Sequence, residues 1–190
     1  MGRFLKLISV PGILISLITN VAAQTGKSGQ QTFLFSRIDS ANRSYINTAY
    51  PPFELTLLDG KSINNSIFEG KVTVLNFWFE DCMPCREEFP NLDAAYHDNM
   101  GNPKFQLIGI TFDPKEDAAR VVKQFDLAFP IGLTGSIEKS QEMNFRNGFP
   151  TTIIIGADGR VVYVKLGKIN YSRDTNIPNN IYPILKKYLN

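Results

Sequence analysis

Val72–Phe79 is an almost unbroken apolar run, rich in β-branched and aromatic residues, that ends on Glu80-Asp81 and leads at once into Cys82-Met83-Pro84-Cys85. Such a run suits a central strand covered on both faces, so the chain must place a layer on either side of a sheet. The segment beyond, Pro84–Asn99, carries Phe89, Leu92 and Tyr96 on one face of a helix, and Pro90 is expected to kink it. A Cys-x-x-Cys set between a buried strand and a helix N-terminus is the arrangement that reversible thiol–disulfide exchange requires.

The chain has no other cysteine. A purely structural bridge across so short a loop restrains the unfolded chain by roughly 2 kcal/mol, against about 3 kcal/mol for a loop of about 15 residues. A zinc centre needs more nitrogen or sulfur ligands than the pair supplies, and the single His97 is the only other soft donor. Covalent haem attachment needs His directly after the second cysteine, where Arg86 stands. No metal is therefore expected, and the redox-active Cys82–Cys85 disulfide takes the place of a cofactor.

The first residues read as a targeting segment. Arg3 and Lys6 form a basic start, Leu7–Thr19 is almost wholly apolar, and Val21-Ala22-Ala23 offers small residues for cleavage. Pro11-Gly12 interrupts the apolar stretch, which falls short of the about 20 residues of a membrane span. Residues 1–23 are expected to be a signal peptide, exporting the protein to the periplasm or another extracytoplasmic space. An uncleaved N-terminal membrane anchor is the alternative.

Loss of Arg3 and Lys6 removes the whole formal net charge of +2, and a balanced remainder argues against nucleic acid as a partner. In an oxidising compartment, a vicinal dithiol stays reduced only if something keeps reducing it.

Residues 24–50 read as a polar, partly disordered lead-in. Gly26-Lys27-Ser28 resembles the end of a phosphate loop, but Val21 stands where the required glycine belongs. From Phe53 the pattern becomes regular. Phe53–Leu58 and Lys61–Ile63 flank an Asp59-Gly60 turn, and Thr151–Ile155 and Val161–Leu166 flank Asp158-Gly159, giving two hairpins. Phe105–Thr111 is a buried strand, Glu116–Phe125 a helix and Ile181–Leu189 a closing helix. This alternation indicates a layered α/β domain over residues 51–190 with a central mixed β-sheet flanked by helices.

Asn76 through Pro90, together with Gly148-Phe149-Pro150-Thr151-Thr152, resembles the thioredoxin-like fold, and more closely the exported TlpA/ResA-type thiol–disulfide oxidoreductases. The resemblance covers about Pro52 to Leu189 and implies that fold with an N-terminal β-hairpin extension. It implies Cys82 as the nucleophile, favoured as a thiolate by the helix terminus, and Cys85 as the more buried resolving thiol. Glu88, three residues beyond Cys85, would shuttle its proton if partly desolvated; otherwise it is a solvated surface carboxylate, as Glu87 is expected to be.

Pro150 resembles the cis-proline that faces the dithiol, exposing the Phe149 backbone to a client strand; an ordinary trans turn is the other reading. Trp78, Met83, Pro84, Phe149 and Pro150 are the expected client-binding residues, with Trp78 and Phe79 as core and rim.

Three residues depart from the family pattern. Asp81 replaces the usual aromatic before the first cysteine and disfavours the thiolate, partly offset by Arg86. Phe149 replaces a small or β-branched residue. Asn76 stands where thioredoxins carry a buried acid. Elsewhere, His97 reads as a solvated or packed histidine and Asp113 as a cap for the following helix. Three Asn-x-Ser triplets, beginning at Asn42, Asn64 and Asn170, match the glycosylation pattern.

The expectation is a monomeric disulfide reductase of exported proteins, apocytochrome c among its clients, fed by a membrane thiol–disulfide electron donor. The rivals are an oxidase or isomerase of the same proteins, and a Cu(I) metallochaperone using the same thiols with Met83 nearby. Peroxide reduction usually needs a Thr-x-x-Cys site, which Phe79-Glu80-Asp81-Cys82 does not supply.

Overall fold

Alternation along the central strand builds the molecule. In β3 (Val72–Trp78) every side chain is buried, and successive residues face opposite sides of the sheet. Val72, Val74 and Trp78 join one apolar layer, whereas Leu75 and Phe77 join the other. The computed structural model describes residues 37–190, so the expected signal peptide and the first part of the lead-in lie outside the described residues.

Seven strands form one sheet in the order β2-β1-β5-β4-β3-β6-β7. β1 (Glu54–Leu57) and β2 (Ser62–Asn64) are the first hairpin, turned at Gly60 with φ +90°. β4 (Phe105–Thr111) and β5 (Ile131–Leu133) extend the sheet parallel to β3 on one side. β6 (Thr151–Ile155) and β7 (Val161–Leu166) continue antiparallel on the other, which makes the sheet mixed.

α1 (Met83–Asn99), α2 (Lys115–Phe125) and α4 (Tyr182–Leu189) supply Phe89, Leu92, Ala118, Val121 and Leu185 to the layer on the Trp78 side. α3 (Ile137–Met143) and the segment around Tyr50, Phe53 and Phe68 close the layer on the Phe77 side. α1 runs through Pro90, an exposed position where the carbonyl left without its N–H partner can reach water.

Three features differ from the sequence reading. β5 and α3 were not expected, nor was a short 3-10 helix at Asn65–Phe68. A compact unit spans Asp39–Asn190. Tyr50 is buried and donates its hydroxyl to the Met143 carbonyl at 2.6 Å, and Ala49 bridges to Arg160, tying the end of the lead-in to the sheet. Among the described residues, no helix is long and apolar enough to cross a membrane.

Candidate active site

At the end of β3 the chain turns sharply, the Cys82 N–H bonding back to the Phe79 carbonyl at 3.1 Å. Asp113, beyond the end of β4, accepts the Glu80 N–H at 2.7 Å and the Thr111 hydroxyl at 2.7 Å. The expected helix-cap role for Asp113 therefore gives way to another: Pro114 occupies the cap of α2, and Asp113 ties down the loop that presents the cysteines. Its carboxyl pKa is raised by burial, against the pull of its hydrogen bonds from Thr111 and Glu80. Glu80 itself pairs with Arg120 at 2.9 Å, which also holds Asp117.

Cys82 is the N-cap of α1, and its sulfur accepts the Cys85 N–H at 3.3 Å. Pro84 stands in the first turn, where its missing N–H costs no helical bond. The two sulfurs are joined as a disulfide, with Cα atoms 5.3 Å apart. Cys82 is 4% exposed and Cys85 0%, so what little surface the pair shows belongs to Cys82. Attack by a thiolate is easiest at a helix N-terminus, where unpaired N–H groups and the dipole stabilise negative charge.

Glu88 is fully buried beneath the pair, so the solvated alternative does not describe it. One carboxylate oxygen accepts from Asn76 Nδ2 at 2.7 Å, the other from the Ile169 backbone N–H at 2.9 Å. Asn76 also donates to Thr152 Oγ1 at 3.0 Å. Burial lifts the Glu88 pKa to about 7, outweighing those two hydrogen bonds and the Lys168 charge. Tyr163 is pushed up to about 12, mostly by its own burial and further by Asp39 and Glu88. Lys168 pairs with the exposed Glu87 at 2.8 Å.

The Phe149–Pro150 peptide bond is cis. Pairing of Phe77 with Thr151 across β3 and β6 sets this segment beside the end of β3, and the Phe79 and Phe149 rings meet edge to face at 5.3 Å. Met83 is 62% exposed and Pro84 is exposed; Phe149 is half-buried and Pro150 buried.

Trp78 does not fit its expected client-binding place. It is fully buried and packs edge-on against Phe89 at 5.5 Å, a wall of the core behind the disulfide. The alternation of β3 carried that signal, because Trp78 falls on the same face as Val72 and Val74. Arg86 lies with its guanidinium 5.9 Å over the Phe125 ring. His97 sits on the surface, 3.4 Å from Asp93. Among the described residues no group of three or more His, Cys, Asp and Glu side chains could hold a metal ion.

The chain matches the model of the AhpC/TSA family over residues 46–164. It is 35% identical over 121 residues to the thiol-disulfide oxidoreductase ResA of Bacillus thuringiensis subsp. konkukian, an alignment covering 59% of this chain and 64% of that protein. The chain thus spans just under two thirds of that relative's length. With the ResA of Halalkalibacterium halodurans it shares 28% identity over 155 residues, covering 80% of this chain and 84% of the relative.

Among solved structures it is similar to the thioredoxin domain of a thiol-disulfide oxidoreductase from Bacteroides vulgatus, with TM-score 0.64 and 23% identity over 76% of this chain and 98% of that one. A thioredoxin family protein from Chlorobium tepidum gives TM-score 0.62 and 23% identity over 76% and 97%. Those two likenesses establish the thioredoxin-like fold, and the family match takes in more than half of the sequence. The chain belongs to the AhpC/TSA family.

Proposed function

We propose that this protein is a thiol–disulfide oxidoreductase working outside the cytoplasm, where it reduces disulfides in exported proteins, apocytochrome c among them. One observation carries the reading: the sulfur of Cys82 caps α1, bonded to Cys85, beside the cis Phe149–Pro150 segment. Similarity to proteins named thiol-disulfide oxidoreductase ResA supports it. The basic and apolar composition of residues 1–23 supports export.

In the reduced protein, the Cys82 thiolate attacks a client disulfide and forms a Cys82–client bond, releasing one client thiolate that takes up a proton. Cys85 then gives its proton to the Glu88 carboxylate, one turn further along α1, and attacks the Cys82 sulfur. The Cys82–Cys85 bond forms and the second client thiolate leaves, taking the proton held by Glu88. The client gains two electrons and two protons, one from water and one relayed from Cys85; the protein, which began with Cys82 as a thiolate, loses two electrons and one proton. A carboxyl with a pKa of about 7 is matched to that transfer near neutral pH. A membrane thiol donor returns the electrons to the pair.

The test is trapping with Cys85→Ser in the native compartment, which should hold clients on Cys82 as mixed disulfides. Capture by Cys82→Ser and not by Cys85→Ser would reverse the two roles. The reduction potential of the pair decides direction, since related dithiols run from about −270 mV for a reductant to about −120 mV for an oxidant. A value above about −150 mV makes the protein an oxidase.

A further inference from the structure

The rim of the disulfide is built from an unusual set of side chains. Phe79, Phe112 and Phe149 come from three separate segments and touch pairwise, with ring centroids 5.5, 5.3 and 5.5 Å apart. All three are half-buried, so they are wedged together and still present ring surface to solvent. A β-branched residue at position 149 could not meet both of the other rings in this way. Among the described residues, the Phe149 backbone N–H and C=O have no hydrogen-bond partner.

Charge at this rim is largely paired off. Glu80 is neutralised by Arg120 and Glu87 by Lys168. Asp81, the residue before Cys82, is exposed and has no hydrogen bond or ion pair among the described residues. Among those residues Arg86 also lacks an ion pair, but its guanidinium is turned to the Phe125 ring of α2, 5.9 Å away. The open charge directly before Cys82 in the chain is therefore the Asp81 carboxylate.

We propose that this surface selects its clients: extended, disulfide-bonded segments with an aromatic or large aliphatic side chain beside the reactive cysteine and a Lys or Arg close by. The inference rests on the oxidoreductase reading above and specifies its substrate class. The client backbone pairs with the free groups of Phe149, its apolar side chain covers the three rings, and its cation offsets Asp81. Electrostatics favours that cation twice. Asp81 adjoins the attacking thiolate, and the single negative charge of that thiolate spreads over the reacting sulfurs and passes to the leaving client thiolate, all within a Debye length of about 8–10 Å.

The test uses reduced full-length protein and synthetic peptides that each close one disulfide, with Phe or Gly beside the reactive cysteine and Arg or Asp nearby. Hydroxyethyl disulfide, small and uncharged, is the reference. Exchange rates are compared as ratios within each protein, so changes in thiol reactivity cancel. The Phe peptides should react about three- to tenfold faster than the Gly peptides. That ratio should fall towards one in Phe149→Thr and in Phe112→Leu, the latter serving if Phe149→Thr does not fold. The Arg peptides should outpace the Asp peptides by about two- to fivefold at low salt, a ratio that shrinks with added salt and in Asp81→Asn.

Equal rates for all peptides, with hydroxyethyl disulfide still reduced, overturn the selection and leave the oxidoreductase intact. Preferences that survive the substitutions overturn the assignment to these residues. No exchange with any disulfide, the reference included, overturns the oxidoreductase reading itself.

Discussion

On one face of β3, Leu75 and Phe77 pack into a layer of Tyr50, Phe53, Phe68, Ile108, Ile110, Ile153 and Ile155. On the other, Asn76 interrupts the series Val72, Val74, Trp78 and holds the carboxyl of Glu88. Side chains on both faces are buried. The first has one buried phenol, Tyr50, whose pKa is raised by burial far beyond any working pH, so it stays neutral and acts only as a donor to Met143. The second keeps a group poised to change charge near neutrality. Burial alone does not separate a structural core from a reactive one; what separates them is whether the buried polar group can still titrate.

The largest expected effect lies on the inert face. Phe77→Ala should cost about 3–5 kcal/mol in urea unfolding and leave the reduction potential of the cysteine pair unmoved. A potential that moves with it would mean the two faces are not independent.

Next comes pH. The Glu88 pKa rises from 4.5 to about 7 on folding, so between those values the native state holds a proton that the unfolded chain has released. This contribution is fully present below about pH 4.5 and is lost as pH rises through about 7, with a slope of at most roughly 1.4 kcal/mol per pH unit. Urea titrations across that range should show the slope in the wild type and a clearly shallower profile in Glu88→Gln. Equal slopes would remove the distinction between the faces.

Gly109 sharpens the comparison from the reactive side. A Cβ there would lie 2.7 Å from Ile131 Cδ1 and 2.9 Å from Trp78 Nε1, so Gly109→Ala should cost about 1–3 kcal/mol. Thermal unfolding reads it, and an unchanged midpoint would show that the Trp78 layer is looser than its contacts indicate. The smallest effect belongs to Asp113→Ala, which strips the Glu80 N–H of its partner and should cost about 1–2 kcal/mol. Unlike Phe77→Ala, it should also change the alkylation rate of reduced Cys82, because it frees the loop that presents the sulfur.

The elements that sequence made legible were those with length and period. β4, β6 and β7 begin and end where the apolar patterns do, and α1 is one residue longer than its pattern. β5 was hidden because three residues between Pro130 and Thr134 are too few to show alternation. α3 spans only seven residues and announces itself solely through the Ser136 cap on the Lys139 N–H. The cysteines, the cis-proline and the acid were legible through local motifs. The partners that define their setting were not: Ile169 reaches Glu88 across 81 positions and Asp113 reaches Glu80 across 33. No local pattern encodes such closures. Trp78 was read both as core and as client-binding; strand parity favours the first, and its full burial agrees.

The sulfur of Cys82 is at once half of the redox couple and the cap of α1. The oxidised and reduced proteins are linked by a closed thermodynamic cycle. The reduction potential of the native pair, measured against that of the unfolded chain, equals the difference between their two folding free energies. A change of about 1.4 kcal/mol in that difference is worth about 30 mV. Two unfolding curves, one with and one without reductant, would thus report the driving force of the cysteine pair without any client at all.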